Sequence, residues 1–306
     1  MITGKNIVKR FDEFTALDFL SINIPDASVY GLVGPNGAGK TTLLNILTGV
    51  YRADEGDISM DGSAIYENPS AKERMFFIPD RIYFPCSNIK DTIEFYKGFY
   101  HGFSEDDFNA LSSYFPYDRK KALRSFSKGQ RRQIAFHFSL AMGSKYLILD
   151  EPMDGLDPVA RHMVWGLLME KVEKEGLTIL VSSHNLRELE DVCDTVGIME
   201  EGKVKIERNL EELQENMTKL QVVFKEGKET DISNLPILHS SNIGRVYTFI
   251  MKMSPEEALK VISPLDPLMA EPLPLTLEEI FIYEIEGAKK DVNKDVNKDV
   301  NSGGLS

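Results

Sequence analysis

The stretch GPNGAGKT, residues 34–41, constrains the fold more than any other part of the sequence. An apolar run, SVYGLVG, leads into it, and a helical pattern, KTTLLNILTGV, follows it. A strand, a glycine-rich loop and a helix in this order form a phosphate-binding layout, because glycines let backbone N–H groups wrap around phosphate oxygens. In such a loop Lys40 reaches the β- and γ-phosphates, and the Thr41 hydroxyl binds Mg²⁺. The stretch therefore predicts an α/β core that binds a nucleotide.

Two further apolar runs predict buried strands of a parallel sheet, and each ends in a polar side chain. The run at 145–150 is followed by Glu151, and the run at 177–183 is followed by His184. Between them, DPVARHMVWGLLMEKVEKEG predicts a crossover helix. Asp150 is suited to hold Mg²⁺ through its water shell, and Glu151 to polarise an attacking water. His184 has two interpretations, a partly buried polar residue or a hydrogen-bond partner of a γ-phosphate.

The stretch SFSKGQRRQ, residues 125–133, also has two interpretations. Ser127 followed three residues later by Gln130 fits a capping box, the ordinary way to begin a helix. The same helix start, with Lys128 and Gly129 in its first turn, fits a phosphate-binding edge, because free N–H groups there attract anions. From this stretch alone, a helix cap and part of a ligand site remain alternatives.

The rest of the chain predicts three parts besides the core. Residues from about 85 to 142 favour helices, with NIKDTIEFYKGFY and KGQRRQIAFHFSLAMG as the clearest periodic stretches. We place the first domain at residues 1–217. Short strands (LQVVF, VYTFIM) and helical stretches (SPEEALKVI, LTLEEIFIYEI) predict a small α/β domain over 218–286. The tail, residues 287–306, repeats KDVN with too few apolar groups for a core, so we expect disorder there.

Charge and cysteine content limit the possible partners. The net charge of −13 over 306 residues argues against broad, non-specific nucleic-acid binding, which depends on Lys and Arg. The two cysteines, Cys86 and Cys193, lie far apart and form no CxxC pair, which favours a reduced compartment. The N-terminus lacks the pattern of a signal peptide, and no window approaches the ~20 apolar residues needed to span a bilayer. We therefore expect another chain to carry any membrane span.

One local cluster has the opposite charge. This basic cluster is either a solvated face of a helix or a source of positive potential that attracts an anionic ligand. The cluster consists of Arg119, Lys120, Lys121, Arg124, Lys128, Arg131 and Arg132.

Together these motifs resemble the nucleotide-binding subunit of an ATP-binding-cassette (ABC) transporter. The family's order is present over about residues 1–210, as Walker A GPNGAGKT, signature FSKGQ, Walker B YLILDEP, D-loop MDGLD and a switch histidine, His184. The resemblance implies a P-loop NTPase fold with a RecA-like core, an antiparallel β subdomain and an α-helical signature subdomain, plus the small C-terminal appendage. It also implies an ATPase that uses ATP and Mg²⁺, with Glu151 as general base and Lys40 and His184 as further catalytic residues.

The resemblance also assigns the nucleotide contacts. Phe11 falls at the family's adenine-stacking position, with Phe14 as the alternative ring and a core or edge-strand aromatic as the other interpretation of Phe11. The predicted metal ligands are Thr41, Asp150 and Asp80. The predicted nucleotide contacts are Phe11, Gly34, Pro35, Asn36, Gly37, Ala38, Gly39, Lys40, Thr41, Thr42, Asp80, Ser127, Gly129, Gln130 and Asp157.

Two motifs, the Q-loop and the signature, depart from the family's pattern. FFIPD places Asp80 where the family's Q-loop carries Gln, which touches Mg²⁺ and links the site to the membrane partner. A carboxylate also binds Mg²⁺, but its negative charge near the γ-phosphate has to be offset. In the signature, Lys128 replaces a glycine, which either adds a cation beside the phosphate or points into solvent.

A single copy of each motif implies that the chain works in pairs. In the family, the Walker motifs of one chain and the signature helix of another hold each ATP between them. We therefore predict a head-to-tail homodimer with ATP at the interface, and Asp154 and Asp157 of the D-loop at that interface. The capping box and the phosphate site are then compatible, because Ser127 contacts an ATP bound to the Lys40 of another molecule.

The resemblance extends to the membrane. The lone cassette and the LTLEEIFIYEI ending resemble bacterial ABC-2-type exporter ATPases, whose permease is a separate transmembrane subunit. This predicts a cytoplasmic protein, peripheral on the inner face of the cell membrane, that drives efflux of a peptide, drug or lipid-like cargo without binding nucleic acid. The alternatives are a soluble ABC ATPase outside transport and a degenerate, regulatory ATP-binding subunit.

Overall fold

The structure is a computed structural model that describes residues 1–112, 115–225, 232, 235–280 and 283. It forms two compact units, Met1–Arg208 and Asn209–Ser306. The predicted boundary at residue 217 lies inside the second unit, and the predicted disorder of 287–306 concerns residues outside the described ones. No helix among the described residues is long and apolar enough to cross a bilayer.

The first unit is built from two sheets and six helices in the described part of the chain. Its strands are β1 (Ile2–Phe11), β2 (Phe14–Ile24), β3 (Val29–Val33), β4 (Glu55–Met60), β5 (Ser63–Ala64), β6 (Met75–Ile78), β7 (Tyr146–Asp150), β8 (Thr178–Ser183), β9 (Thr195–Glu200) and β10 (Lys203–Asn209). Its helices are α1 (Lys40–Leu47), α2 (Pro69–Glu73), α3 (Ile89–Lys97), α4 (Glu105–Asn109), α5 (Lys128–Ala141) and α6 (Pro158–Glu175).

The six-stranded sheet positions the site. Its order is β10-β9-β3-β8-β7-β6, and the strands from β9 to β6 pair in parallel. Every residue of β3, β7 and β8 is buried, as expected for parallel strands covered on both faces. The register pairs Val33 with Ser183 and Asp150 with Ser182. The loops that follow these three strands therefore leave the sheet at one edge, which brings the predicted motifs together.

The second sheet is antiparallel, in the order β2-β1-β4-β5. The hairpin between β1 and β2 pairs Phe11 with Phe14 across its turn. One apolar core joins this sheet to helix α1 and the parallel sheet, through side chains such as Leu17, Leu43 and Ile148. The hairpin is thereby held beside the P-loop.

Helices α3, α4 and α5 form the predicted helical subdomain around an aromatic core. Phe138 of α5 packs against Tyr96 and Phe108, with ring centroids 5.2 Å and 4.9 Å apart. The central and C-terminal residues of α5 are buried, which fixes this helix against its neighbours. Several aromatic side chains at 83–99 remain exposed, most of all Tyr83, with 82% of its surface accessible. The aromatic side chains of this region are therefore divided between the core of the subdomain and its surface.

The second unit is a small antiparallel sheet with a helix packed on it. It contains α7 (Leu210–Glu215), β11 (Thr218–Val223), β12 (Ile237–Ile243), β13 (Val246–Met251), α8 (Pro255–Ile262) and β14 (Met269–Leu273). The strand order is β12-β13-β11-β14, and Ala258 and Ile262 of α8 pack in one core with residues of the sheet. Residues 277–280 are also helical. The predicted α/β appendage is thus present in the described residues.

Candidate nucleotide-binding site

The glycine-rich loop after β3 lines a cavity of about 330 Å³. Gly39, the residue before α1, has a φ of +101°, and a Cβ there would lie 2.6 Å from the carbonyl oxygen of Ala16. Only glycine fits this position without strain, so the loop can wrap tightly at the helix N-terminus. The residues that line the cavity are Phe14, Ala16, Pro35, Asn36, Gly37, Ala38, Gly39, Lys40, Thr41, Thr42, Asp80 and Glu151.

Lys40 lies at the floor of this cavity with only 6% of its surface exposed. Its Nζ donates a hydrogen bond of 2.6 Å to the carbonyl oxygen of Gly34 and lies 3.5 Å from Glu151 Oε1. The ammonium group is therefore held between a backbone dipole and a carboxylate. It is positioned to exchange these contacts for the oxygens of a bound phosphate.

A chain of hydrogen bonds joins the helix after the P-loop to the two neighbouring strands. Thr41 Oγ1 donates to Asp150 Oδ2 at 2.8 Å, and Ser182 Oγ donates to Asp150 Oδ1 at 2.6 Å. Asp150 is 1% exposed, so both carboxylate oxygens are directed by named partners. The Thr41 hydroxyl and Asp150 together offer the hard oxygen donors that Mg²⁺ prefers.

Glu151 follows β7 in a backbone conformation that is unusual for a side chain other than glycine. Its φ is +46°, and its backbone N–H donates to Ser182 Oγ at 3.1 Å. Left-handed backbone at a non-glycine residue is costly and is concentrated at functional sites. The conformation turns the Glu151 carboxylate towards both Lys40 and His184.

His184 completes this group. Its Nδ1 lies 2.9 Å from Glu151 Oε2, while about half of its side chain is exposed. The hydrogen bond to Glu151 and the negative charge of that carboxylate raise the pKa of His184 above its usual value, and Asp154 adds to the effect. The histidine is thereby biased towards its cationic form at the edge of the phosphate cavity.

The signature stretch forms the N-terminus of α5, and the predicted capping box is present. Ser127 Oγ accepts from the Gln130 N–H at 3.2 Å, and Gln130 Oε1 accepts from the Ser127 N–H at 3.0 Å. Gly129 packs so closely that a Cβ would lie 2.8 Å from the carbonyl oxygen of Gly155. Ser127 and Gln130 are exposed, and the described residues that line the P-loop cavity include none from the signature stretch.

The two candidate adenine-stacking rings lie in different surroundings. Phe14 lines the P-loop cavity and is 62% exposed. Phe11 is 41% exposed, but its ring packs edge-on against Tyr51 at 5.7 Å and lies under the Lys9 ammonium group. The hairpin therefore presents the alternative ring, Phe14, to the cavity, whereas Phe11 packs on its neighbours.

Asp80 and Asp157, both predicted to contact the nucleotide, form polar contacts with other groups of the same chain. The Asp80 carboxylate is 3.1 Å from Arg132 Nη2 and 3.9 Å from Lys128 Nζ, although Asp80 also lines the cavity. Asp157 caps α6, since its Oδ1 accepts from the Ala160 N–H at 3.0 Å. The negative charge that Asp80 adds is thus offset within the same chain.

Comparison with known proteins identifies the family of the chain. Residues 17–154 match the family model described as ABC transporter. The ABC transporter ATP-binding protein YtrB of Bacillus subtilis (strain 168) is 30% identical over 297 residues, which cover 95% of this chain and all of YtrB. This chain belongs to the family of ABC transporter ATP-binding proteins.

Two further similarities agree with this placement of the cassette. The Nod factor export ATP-binding protein I of Burkholderia lata is 34% identical over 211 residues, covering 66% of this chain and 68% of the relative. The dimeric cassette MJ0796 bound to ADP and Pi shares the fold, with a TM-score of 0.61 at 21% identity, over 69% of this chain and 99% of MJ0796. The predicted ABC fold is confirmed, and the cassette is an ATP-binding and ATP-hydrolysing subunit of a transporter.

Two residues of this ABC cassette were missed by reasoning from sequence. Ser182 links Asp150 to the Glu151 backbone, and Arg132 is fully buried beside Asp80. Two serines, Ser182 and Ser183, end the largely apolar strand β8, and this pair is a sequence signal for a polar contact at that strand end. Arg132 belongs to the basic cluster, and its neighbours in the sequence do not indicate that it alone is buried. The catalytic and binding roles of the other named residues stay predictions.

Proposed function

We propose that this ABC ATPase drives an exporter, working as a head-to-tail homodimer on a separate membrane permease. Two half-sites lie apart on one chain, and their separation supports the homodimer. The P-loop cavity contains the phosphate-binding groups, while Ser127 and the N-terminus of α5 are exposed elsewhere on the same unit. A site made of both halves needs a second copy.

The start of α5 suits a phosphate from another molecule. Its first turn carries the positive end of the helix dipole and contains no acidic residue, which favours an anion. Lys128 adds an exposed cation at the same place. The cassette MJ0796, which shares this fold, is dimeric, and this supports the pairing of two copies. Ser127, Gly129 and Gln130 would then contact an ATP held by the Walker motifs of the second copy, with Asp157 near the interface.

Within each site, different residues of the first unit bind the phosphates, activate the water and hold the base. Lys40 leaves its carbonyl partner for the β- and γ-phosphates, and Glu151 accepts a proton from the attacking water. His184, held against Glu151, donates a hydrogen bond to the γ-phosphate. Thr41 and Asp150 fit Mg²⁺, with Asp80 as a further candidate ligand, and bound Mg²⁺ would neutralise charge on the phosphates. The ring of Phe14 or Phe11 stacks on adenine.

A groove beside the Q-loop position suits the membrane subunit. It has a volume of about 420 Å³ and combines apolar side chains with two arginines, and its lining residues are Ile82, Tyr83, Phe84, Cys86, Ser87, Ala122, Leu123, Arg124 and Arg131. The largely exposed Tyr83 would be covered when the permease docks there. The similarity to a Nod factor export ATP-binding protein supports export as the direction of transport. The cargo that we propose is a peptide, drug or lipid-like molecule.

A complementation experiment tests the head-to-tail arrangement. Lys40→Ala removes the P-loop cation, and Ser127→Arg blocks the start of α5, so each purified variant alone should lose ATP turnover. Mixing them in equal amounts forms heterodimers in which one of the two sites pairs an intact Lys40 with an intact Ser127. We expect recovery of about a quarter of the parent turnover, since half of the dimers are then mixed. No recovery on mixing would refute the shared site.

A further inference from the structure

One arginine on α5 is buried completely. Arg132 lies in the second turn of the helix with 0% of its surface exposed, and it is among the largest fully buried side chains. Arginine is rarely buried unless its charge is paired. The two terminal nitrogens of Arg132 have partners, whereas its buried Nε has none among the described residues. The partners of Arg132 therefore indicate what the burial achieves.

The Arg132 guanidinium bridges two loops that carry predicted site residues. Its Nη1 donates to the carbonyl oxygen of Glu151 at 2.6 Å. Its Nη2 donates to the carbonyl oxygen of Asp80 at 2.9 Å and to Asp80 Oδ1 at 3.1 Å. The planar fork directs the donors of its two terminal nitrogens towards two separate loops, whereas an ammonium group offers all its donors from a single atom. The signature helix, the loop after β6 and the end of β7 are thus joined at one side chain.

The hydrogen bond from Arg132 to Glu151 is made to a residue with a strained backbone. The left-handed conformation of Glu151, with φ of +46°, is held on its N–H side by Ser182 and on its carbonyl side by Arg132. Such conformations persist only when their surroundings fix them. Arg132 thereby controls the direction in which the Glu151 carboxylate points, without touching that carboxylate.

The bond to Asp80 explains how an acidic residue is accommodated at this position. The carboxylate is about half exposed, with a side-chain accessibility of 54%, and the buried charge of Arg132 faces it. Lys128, in the first turn of the same helix, approaches the same oxygen at 3.9 Å. The two cations of α5 therefore hold Asp80 from both the buried and the exposed side.

We propose that Arg132 is a positioning residue for ATP hydrolysis, which holds Glu151 in its strained conformation and couples it to Asp80 through an ion pair. This inference rests on the proposed role of Glu151 as general base. A displacement of the loop after β6, or of α5, is then transmitted to Glu151 through the guanidinium group of Arg132.

Variants of the full chain test this assignment through the split between kcat and KM for ATP. For Arg132→Gln we expect kcat to fall about 10- to 100-fold, because the general base is misdirected. KM for ATP should stay within about twofold of the parent, because the P-loop contacts are intact. Arg132→Lys keeps the charge but loses the fork, so its kcat should lie between those of the parent and of Arg132→Gln.

A double-mutant cycle separates coupling from independent effects. Asp80→Asn leaves the buried Arg132 charge without its carboxylate, so kcat should fall, and Arg132→Gln in that background should cost about fivefold less than it does alone. Strictly additive effects would overturn the coupling. Parent-like kcat in Arg132→Gln, or a rise in KM that accounts for the whole loss, would overturn the positioning role.

The controls keep the outcome interpretable. Arg119→Gln removes an arginine of the same subdomain that pairs with Glu105 at the surface, and it should keep the parent kcat and KM. Unfolding midpoints identify variants that do not fold, and Arg132→Lys, which keeps the buried charge, remains informative if Arg132→Gln does not fold. Glu151→Gln is measured in parallel, because full turnover in that variant would refute the general base itself rather than the role of Arg132.

Discussion

Ser182 is the residue whose loss we expect to show most directly how the site is held together. It is fully buried at the end of β8, donates to Asp150 Oδ1 at 2.6 Å and accepts from the Glu151 N–H at 3.1 Å. Ser182→Ala removes one oxygen and leaves the rest of the strand intact. The buried Asp150 carboxylate then loses one hydrogen-bond donor, and the Glu151 N–H loses the Ser182 oxygen that accepts its hydrogen bond.

The expected cost follows from these two bonds. A hydrogen bond to a charged group contributes about 1.5–3 kcal/mol, and an unsatisfied buried donor costs about 1–3 kcal/mol. Because relaxation makes such terms less than additive, we expect the free energy of unfolding of the first unit to fall by about 2–4 kcal/mol. Glu151 also loses the tether on its N–H side, so kcat for ATP should fall about tenfold or more.

Urea unfolding followed by the fluorescence of Trp165, which lies in α6 of the first unit, measures the stability change. The matched control is Ser139→Ala, since Ser139 is also buried but its Oγ donates only to the neighbouring carbonyl oxygen of Phe136 at 2.9 Å. We expect this control to lose less than about 1 kcal/mol and to keep its turnover. Equal losses in the two variants, or a Ser182→Ala variant with the stability and turnover of the parent, would refute the reasoning.

Three further predictions concern the same site. Glu151→Gln should still bind ATP and accumulate an ATP-bound dimer in light scattering, whereas turnover at the parent rate would exclude Glu151 as base. Phe14→Ala should weaken binding of a fluorescent ATP analogue about fivefold, since an aromatic pair contributes about 1 kcal/mol, and a loss seen only in Phe11→Ala would reverse that assignment. The pKa of His184 is raised in the folded state, so protonated His184 stabilises the fold through its contact with Glu151. This stabilisation is complete below the unfolded-state pKa of about 6.5, and it is lost as the pH rises through the folded-state pKa. Urea unfolding of His184→Asn between about pH 5.5 and pH 8.5 should therefore depend less on pH than that of the parent, and equal pH dependence would contradict this.

Much of the fold was accessible from local sequence. The apolar runs before Gly34, Glu151 and His184 predicted buried parallel strands, and all three are strands of one sheet with every residue buried. The resemblance to the family assigned Thr41 and Asp150 to one Mg²⁺, and the hydrogen bond from Thr41 to Asp150 shows that the two side chains lie together. Local periodicity sufficed here because each strand is buried on both faces, which leaves a continuous apolar signal.

The choice between the two phenylalanines was not accessible from sequence. Both rings lie beside the turn of one hairpin, and their spacing from the P-loop fits either one. The structure brings Phe14 to the cavity wall and packs Phe11 on Tyr51. The packing of the hairpin against α1 determines which ring faces the cavity. This packing is a tertiary contact, and the local spacing of the two residues does not encode it.

The P-loop, the signature helix and the pair of strand-end carboxylates of this ABC cassette can all be predicted from the sequence, because each of them is a local pattern of residues. Which charges meet depends instead on how the elements pack in three dimensions. Arg132 and Asp80 are 52 residues apart in the chain, and among seven clustered cations Arg132 is the one with no exposed surface. Burial and pairing of a charge depend on what packs around it, so they emerge only when α5 is placed against the ends of β6 and β7.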